Sequence, residues 1–191
     1  LYFNDDVFAG RSVTPRQFFL RPDVHRFYPQ MRATLDPGPR TDDDPPFLGA
    51  DKNVRDLLAG RFGRRFSTML AHTPHPQQRS LLEELEREFP DEIARTRRSP
   101  FRNGNDVAMA TALHHYYAFF TGRAVPAHMR FRGVKLSGDD LKDRLRMVTR
   151  RRPHAFCLND TVSDSLEPKR KARIVGRFLE RYFPEPSSFE R

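Results

Sequence analysis

The chain opens on Leu1-Tyr2-Phe3-Asn4-Asp5-Asp6-Val7-Phe8-Ala9-Gly10. Leu1, Tyr2 and Phe3 read as the end of a buried strand that runs into three polar residues. Val7 and Phe8 come next, and Gly10 is a breaker. Two adjacent carboxylates at the end of a hydrophobic run are costly unless a cation or hydrogen-bond donors meet them. In open α/β sheets the ligand crevice lies outside the carboxyl ends of the strands, which is where these acids fall on this reading. On a strand, Asn4 and Asp6 share one face and Asp5 takes the other, so a turn must begin here for both acids to serve one site. Asn-Asp-Asp is also an ordinary turn start, and these ten residues leave both readings open.

A second stretch repeats the logic. Ala155-Phe156-Cys157-Leu158-Asn159-Asp160 is again an apolar strand with Asn-Asp at its carboxyl end. Two separate strands ending in Asn-Asp set the expectation of an α/β fold, helix-dominated, with few strands whose carboxyl ends carry the polar residues.

The rest of the composition narrows the class. At 191 residues the chain fits one domain or a large part of one. Seventeen Phe and five Tyr supply much of a core that lacks Trp, while 16 Pro and 31% charged residues keep the chain polar. No run of 18 apolar residues is present, which excludes a transmembrane helix. The first residues lack the basic flank and apolar segment of a signal peptide, which with the Arg- and Pro-rich usage favours a bacterial, cytoplasmic location. Opening on a strand without a starting Met reads as the later part of something longer. Cys157 is the single cysteine, so no internal disulfide forms. The net charge of +9 favours anionic partners. Basic residues gather at Arg61 to Arg65, Arg95 to Arg102, Arg150 to Arg152 and Lys169 to Arg173; each cluster also reads as a solvated helix face.

Along the chain, Thr14-Pro15 starts a short helix with Thr14 as N-cap. Residues 21–50, rich in Pro, Asp and Gly, read as an irregular loop, with Asp42 to Asp44 as either solvated acids or metal ligands. Helices are expected at 51–66, 77–89 (ended by Pro90), 107–120, 137–150 and 167–182, and a strand at 129–136. His72 and His75 lie just before a helix N-terminus, whose positive end favours neutral imidazole. His114 and His115 read as packed and hydrogen-bonded within the aromatic helix 107–120. No Cys/His spacing points to zinc.

These segments, in this order, resemble the Stealth family of sugar-1-phosphate transferases, which includes bacterial capsule and exopolysaccharide phosphotransferases and the catalytic subunit of animal N-acetylglucosamine-1-phosphotransferase. Tyr2 to Phe8 with Pro15 to Phe19 is similar to the end of its second conserved region. His72-Thr73-Pro74 through Phe89-Pro90, Phe101-Arg102 to Asp106 and His115-Tyr116-Tyr117 are similar to the third. Phe156 to Asp160, Phe178 to Pro184 and Pro186 to Glu190 are similar to the fourth. The resemblance implies that residues 1–191 are the C-terminal portion of one catalytic domain, part of a larger nucleotide-sugar transferase fold. The missing N-terminal segment of the same enzyme would then be needed to complete the donor site.

The resemblance implies transfer of a hexose-1-phosphate, N-acetylglucosamine-1-phosphate in the main reading, from a UDP-sugar to a glycan or polysaccharide hydroxyl, releasing UMP. Such chemistry needs cations for the phosphate oxygens and a base for the hydroxyl. Asp5, Asp6, His72 and Arg102 are the expected catalytic residues. Asp5 and Asp6, with Asp160 from the second strand, suit Mg²⁺ (or Mn²⁺) as hard oxygen ligands. Arg102 can fork onto phosphate oxygens, and His72 is the base or the nucleophile. Asn4, His75, Asn105, Asp106 and Asn159 are expected to bind substrate. A basic nucleic-acid-binding protein is the first alternative, disfavoured because the basic residues form no stripe interleaved with aromatics. A metal-dependent phosphodiesterase, with water as acceptor, is the second.

Overall fold

The computed structural model describes residues 1–160 and 166–186. Ser187, Ser188, Phe189 and Glu190 of the fourth motif lie outside them. Among the described residues no sheet exceeds three strands, and helices outweigh strands, as the sequence led us to expect.

The first sheet is built on the most apolar run. In β8 (Ala155–Asn159) the first four residues are buried, the pattern of a strand covered on both faces. It pairs in parallel with β7 (Phe131–Lys135) and antiparallel with β1 (Val7–Ala9), in register Val7 to Cys157. Helices α6 (Leu141–Arg151) and α7 (Pro168–Tyr182) cover it. Leu141, Leu145 and Val148 of α6 and Phe178, Leu179 and Tyr182 of α7 join Phe156 in one apolar cluster. Gly10 ends β1 where a Cβ would lie 2.4 Å from the Pro153 carbonyl oxygen, so no side chain fits.

Two smaller sheets flank a helical core. They are reached through the short α1 (Pro15–Phe18), capped by Thr14 as expected, whose N–H donates to Gln17 Oε1 at 2.7 Å. β2 (Phe19–Arg21) pairs antiparallel with β3 (Val24–Phe27), and β3 pairs in parallel with β6 (Ala124–Pro126). β4 (Pro29–Thr34) pairs with β5 (Thr68–Leu70). The core takes Val54 and Leu58 from α2 (Pro46–Phe62), Leu81 and Leu85 from α3 (Arg79–Glu88), and Ile93 from α4 (Pro90–Arg98). Leu113, Tyr116 and Tyr117 complete it, with Phe66 stacked on Tyr116 at 3.8 Å.

Several expectations are corrected. Leu1, Tyr2 and Phe3 are 54%, 40% and 41% exposed, not a buried strand end. The Asn4 carbonyl accepts the Val7 N–H at 3.1 Å, so the chain turns at the acids and the strand comes after them. Residues 21–50 are not an irregular loop throughout: β3, β4 and the start of α2 occupy much of the segment. Its turn-rich composition hid strands that are stabilised by long-range pairing. The part without regular structure, 35–45, is fastened to α2. Lys52 Nζ reaches Asp36 at 2.6 Å, Asp44 at 3.0 Å and the Pro39 carbonyl at 3.1 Å, so Asp44 neutralises a buried lysine. α2 begins at Pro46, whose absent N–H is no loss in a first turn, and ends at left-handed Gly63. Pro90 ends α3 and also opens α4, a helix the sequence reading missed. The helix expected at 107–120 begins as a π-helical turn, Met109–Leu113, before α5 (His114–Phe120).

Candidate active site

Antiparallel pairing of β1 with β8 carries Asp6 to the carboxyl end of β8. The Leu158 N–H donates to the Asp6 carbonyl at 2.8 Å, continuing the ladder by one residue. The acids therefore do lie at the carboxyl ends of parallel strands β7 and β8, but they belong to the strand that runs the other way. The turn does not take Asp6 away from this end of the sheet, because the same Asn-Asp-Asp that turns the chain leads directly into β1.

Around Asp6 three side chains converge. The Cys157 thiol donates to Asp6 Oδ2 at 2.9 Å, and Cys157 Sγ lies 3.5 Å from His72 Nδ1. His72 Nδ1 is 3.7 Å from Asp6 Oδ2. His72 is exposed and Asp6 half-buried, so the pair faces solvent over a buried thiol. Burial pushes the Cys157 thiol up, and its bond to Asp6 and the charges of Asp6 and Asp5 push it further, which keeps it protonated. Asp5 itself is exposed beside this group.

His75 is placed differently from His72. It is 4% exposed and pairs through its backbone with Tyr2, 2.8 Å in each direction. Its ring belongs to a buried cluster with His25, His114 and His115, all three fully buried. His75 Nδ1 is 3.1 Å from His115 Nε2, and His25 Nε2 is 2.9 Å from His115 Nδ1. Burial lowers His25 and His75 to about 4 and His114 to about 3, and it lowers His115 well below the usual imidazole range, so all four are neutral at pH 7. The packed, bonded state expected for His114 and His115 is observed.

The remaining residues are spread more widely. Asn159 ends β8, half-buried, and its carbonyl accepts the Leu136 N–H at 2.9 Å. The Asp160 carboxylate is exposed and lies 2.5 Å from Lys171 Nζ. Arg102 is exposed on the turn between α4 and the π-helical segment. Asp106 braces that turn, accepting from Ser99 Oγ at 2.6 Å and the Asn103 N–H at 2.8 Å. The Asn105 N–H donates to Asn103 Oδ1 at 2.9 Å. The turn packs on α2 through the Gly104 carbonyl, which accepts from Asn53 at 2.8 Å and would lie 2.9 Å from a Cβ at Gly49. Thus Asp6, His72 and Cys157 are brought together, with Asp5 beside them. No hydrogen bond or ion pair joins Arg102, Asn105 or Asp106 to that group among the described residues.

Comparison with known proteins decides the family. The models of Stealth protein conserved regions 3 and 4 match residues 71–119 and 146–191. All of the chain aligns with exopolysaccharide phosphotransferases. One from Streptomyces coelicolor is 43% identical over 194 residues, 33% of its own length. CpsY of Mycobacterium tuberculosis is 38% identical over 197 residues, 36% of its length, and a Nocardia farcinica relative is 37% identical over 197 residues, 38% of its length. The chain belongs to the Stealth family. It spans about a third of the length of these curated Stealth relatives. His72, His75, Arg102, Asn105 and Asp106 fall within region 3, and Cys157, Asn159 and Asp160 within region 4.

In the Stealth chain, Asp6, His72 and Cys157 present ligand-type atoms within 4.8 Å of one another, a group capable of holding a metal ion. The carboxylates of Asp5 and Asp6 have the hard oxygens that Mg²⁺ or Mn²⁺ prefers. Protonated Cys157 serves Asp6 as a donor and is not a ligand in this state. Asp160 fits less well, because Lys171 already neutralises its carboxylate. The sequence reading missed Cys157 as a site residue. Its signal was the period-2 alternation of β8, which puts Cys157 on the face of Asn159. It missed the histidine cluster as well, since His25 stands 90 residues from His115. Among the described residues no helix is long and apolar enough to cross a membrane.

Proposed function

We propose that this chain carries part of the catalytic site of an exopolysaccharide phosphotransferase. On this reading it moves a hexose-1-phosphate, N-acetylglucosamine-1-phosphate for preference, from a UDP-sugar to a glycan hydroxyl in polysaccharide synthesis. The observation that carries the reading is the Asp6–His72 pair over Cys157, in a Stealth chain whose relatives are named exopolysaccharide phosphotransferases.

His72 directs Nδ1 toward Asp6 and leaves Nε2 for the substrate. Asp6 orients the ring and stabilises the imidazolium that forms when Nε2 takes the acceptor's proton. The acceptor oxygen then bonds to the β-phosphorus as the bond from that phosphorus to the bridging oxygen breaks. UMP leaves with the electron pair. Arg102, exposed and on a braced turn, neutralises phosphate oxygens when the complete donor site is assembled. A divalent ion held by Asp5 and Asp6 would supply charge neutralisation of the pyrophosphate.

The experiment uses the full-length protein with UDP-N-acetylglucosamine, Mg²⁺ and a pool of oligosaccharide acceptors, and identifies the released nucleotide by mass spectrometry. UMP with a phosphodiester-linked sugar on the acceptor supports phosphotransfer. Release of UDP would mean attack at the sugar carbon and would remove the roles given to His72 and Arg102. A sugar phosphate released without acceptor would mean a phosphodiesterase.

A further inference from the structure

Helix α7 carries its charge differently from other helices of the chain. Arg79 of α3 pairs with Glu83 at 2.8 Å, and around the start of α6 Arg144 pairs with Asp140 and Arg146 with Asp143, each at 2.6 Å. On α7 arginine recurs at Arg170, Arg173, Arg177 and Arg181, a spacing that keeps all four on one side of the helix. All four are exposed, and none forms an ion pair among the described residues. Glu180 is the single acid within the helix. Like charges at i, i+4 repel, which applies here to Arg173 with Arg177 and to Arg177 with Arg181. The first turn adds Lys169 and Lys171 at the end where the backbone dipole disfavours cations. Glu167, bonded to the Lys169 and Arg170 N–H groups, and Asp160, beside Lys171, offset part of that charge. The outer row of guanidiniums has no such offset among the described residues.

The row also has a direction. α7 starts at the carboxyl end of β8, where Lys171 Nζ lies 2.5 Å from Asp160. It returns to the amino end, where the Tyr182 hydroxyl donates to the Gly10 carbonyl at 2.6 Å. The Asp6–His72 pair stands at the first of these ends, since the Asp6 carbonyl accepts from Leu158, two residues before Asp160. From Arg170 to Arg181 the arginines span about 16 Å along the helix axis. At the far end Arg11 and Arg152 extend the positive charge, close enough for it to reach the Tyr182 hydroxyl.

Three kinds of polyanion suit such a row, and the packing separates them. A membrane-bound amphipathic helix buries its apolar side in lipid, but Ile174, Phe178 and Leu179 are packed on the cluster around Phe156. Single-stranded nucleic acid is held by aromatic platforms as well as by cations, but Phe178 and Tyr182 face Phe156 at ring separations of 5.8 and 5.2 Å. A glycan that carries phosphodiesters needs neither lipid nor stacking, and each phosphodiester offers a pair of charged oxygens to an arginine fork.

We propose that the outer side of α7 is a binding track for an anionic, phosphodiester-bearing glycan, the product as it leaves the site, with Arg170, Arg173, Arg177 and Arg181 on its phosphates. The proposal rests on the phosphotransfer reading, which places one phosphodiester on the acceptor per turnover. A glycan extended by several turnovers is held at several points, whereas a neutral acceptor gains nothing from α7.

The test uses the full-length protein and a synthetic oligomer of N-acetylglucosamine joined through 1-phosphodiesters, with the phosphate-free oligosaccharide as control. Affinities are read by calorimetry at several salt concentrations. Arg173→Gln/Arg177→Gln keeps good helix formers on α7. Its affinity for the phosphodiester oligomer should fall about tenfold or more, and the slope of log affinity against log salt should fall by about 1.5. Its turnover with a short neutral acceptor should stay within about twofold of wild type. Arg32→Gln/Arg87→Gln removes the same charge from exposed positions on β4 and α3, and should leave the affinity within about twofold. Equal loss in that control overturns the proposal, and so does wild-type affinity in the α7 variant. Tighter binding of wild-type protein to phosphatidylglycerol vesicles, or to single-stranded DNA of equal charge, than to the oligomer also overturns it. If the double variant does not fold, Arg173→Gln and Arg177→Gln decide singly, each with an expected loss of about threefold. The binding measurement involves no turnover, so the two readings fail separately: UDP in place of UMP removes phosphotransfer, and equal affinities remove the track.

Discussion

The Cys157 thiol donates to Asp6 Oδ2 across 2.9 Å, joining residues 151 apart in sequence. The contact gives Asp6 a donor from the protein's interior while His72 approaches from the solvent side. Asp6 is therefore held in one orientation. Asp6→Asn should lower turnover at least about a hundredfold, the usual scale for a lost charge-stabilising group, with the fold intact. Cys157→Ser, which keeps a donor, should retain activity within about threefold, whereas Cys157→Ala should lose about tenfold. Steady-state rates with circular dichroism on the same preparations check all three, and unchanged turnover in Asp6→Asn would take that residue out of the site.

Arg102 offers a cleaner separation of stability from function. It is exposed, so Arg102→Ala should shift unfolding free energy by less than about 0.5 kcal/mol. Its turnover should still fall at least about a hundredfold. Asp106→Ala should do the reverse in part, loosening the turn by removing the acceptor for Ser99 and Asn103. Denaturant melts and kinetics on both variants would show the contrast; an Arg102→Ala enzyme of full activity would sink the assignment.

The histidine cluster makes the fold acid-labile. In the unfolded chain these imidazoles protonate near 6.5, while burial holds folded His25 and His75 to about 4. Between those values the unfolded state binds more protons, so stability is complete above about pH 7 and is lost as pH falls toward 4. Each of the two contributes about 1.4 kcal/mol per pH unit in that window. Urea titrations at pH 7.5, 6.0 and 5.0 should show the midpoint falling steeply, and a flat profile would mean that the rings are open to water.

The Lys52 ammonium ties Asp36, Asp44 and the Pro39 carbonyl to α2, and Arg55 binds the carbonyls of Asp36 and Gly38 at 2.7 and 3.0 Å. Lys52→Met should free the 35–45 segment. Limited tryptic digestion should then cut after Arg40 much faster than in wild type; equal rates would show that Arg55 alone holds the loop.

How much the sequence revealed depends on the range of the interactions involved. The stripes of α3, α6 and α7 and the apolar run of β8 are local patterns, and each element lies within a few residues of its expected place. β3 was hidden because Val24-His25-Arg26-Phe27 has no clean alternation and owes its existence to partners around residues 19 and 124. α4 was lost because Pro90 reads as a stop as readily as a first-turn residue. In the candidate site, Asp6 and His72, which the structure brings within 3.7 Å of each other, were both singled out from their residue types and surroundings. Cys157 was legible only in its face of β8, since nothing local shows that a strand running from residue 7 will place a carboxylate against it. The same holds for the buried lysine of α2, whose partners lie 8 to 16 residues earlier in a segment without periodicity.

The pairing of β1 with β8 has a consequence for biosynthesis. At ordinary ribosomal speed, the chain from Asp6 to Cys157, 151 positions later, takes roughly 8 to 30 s to make. Through that interval β1 has no ladder partner and Asp6 lacks its thiol donor, so a nascent chain holds these parts of the site unassembled. Any ribosome that stalls before β8 emerges therefore releases a product in which β1 is an unpaired edge and Asp6 has no thiol beside it.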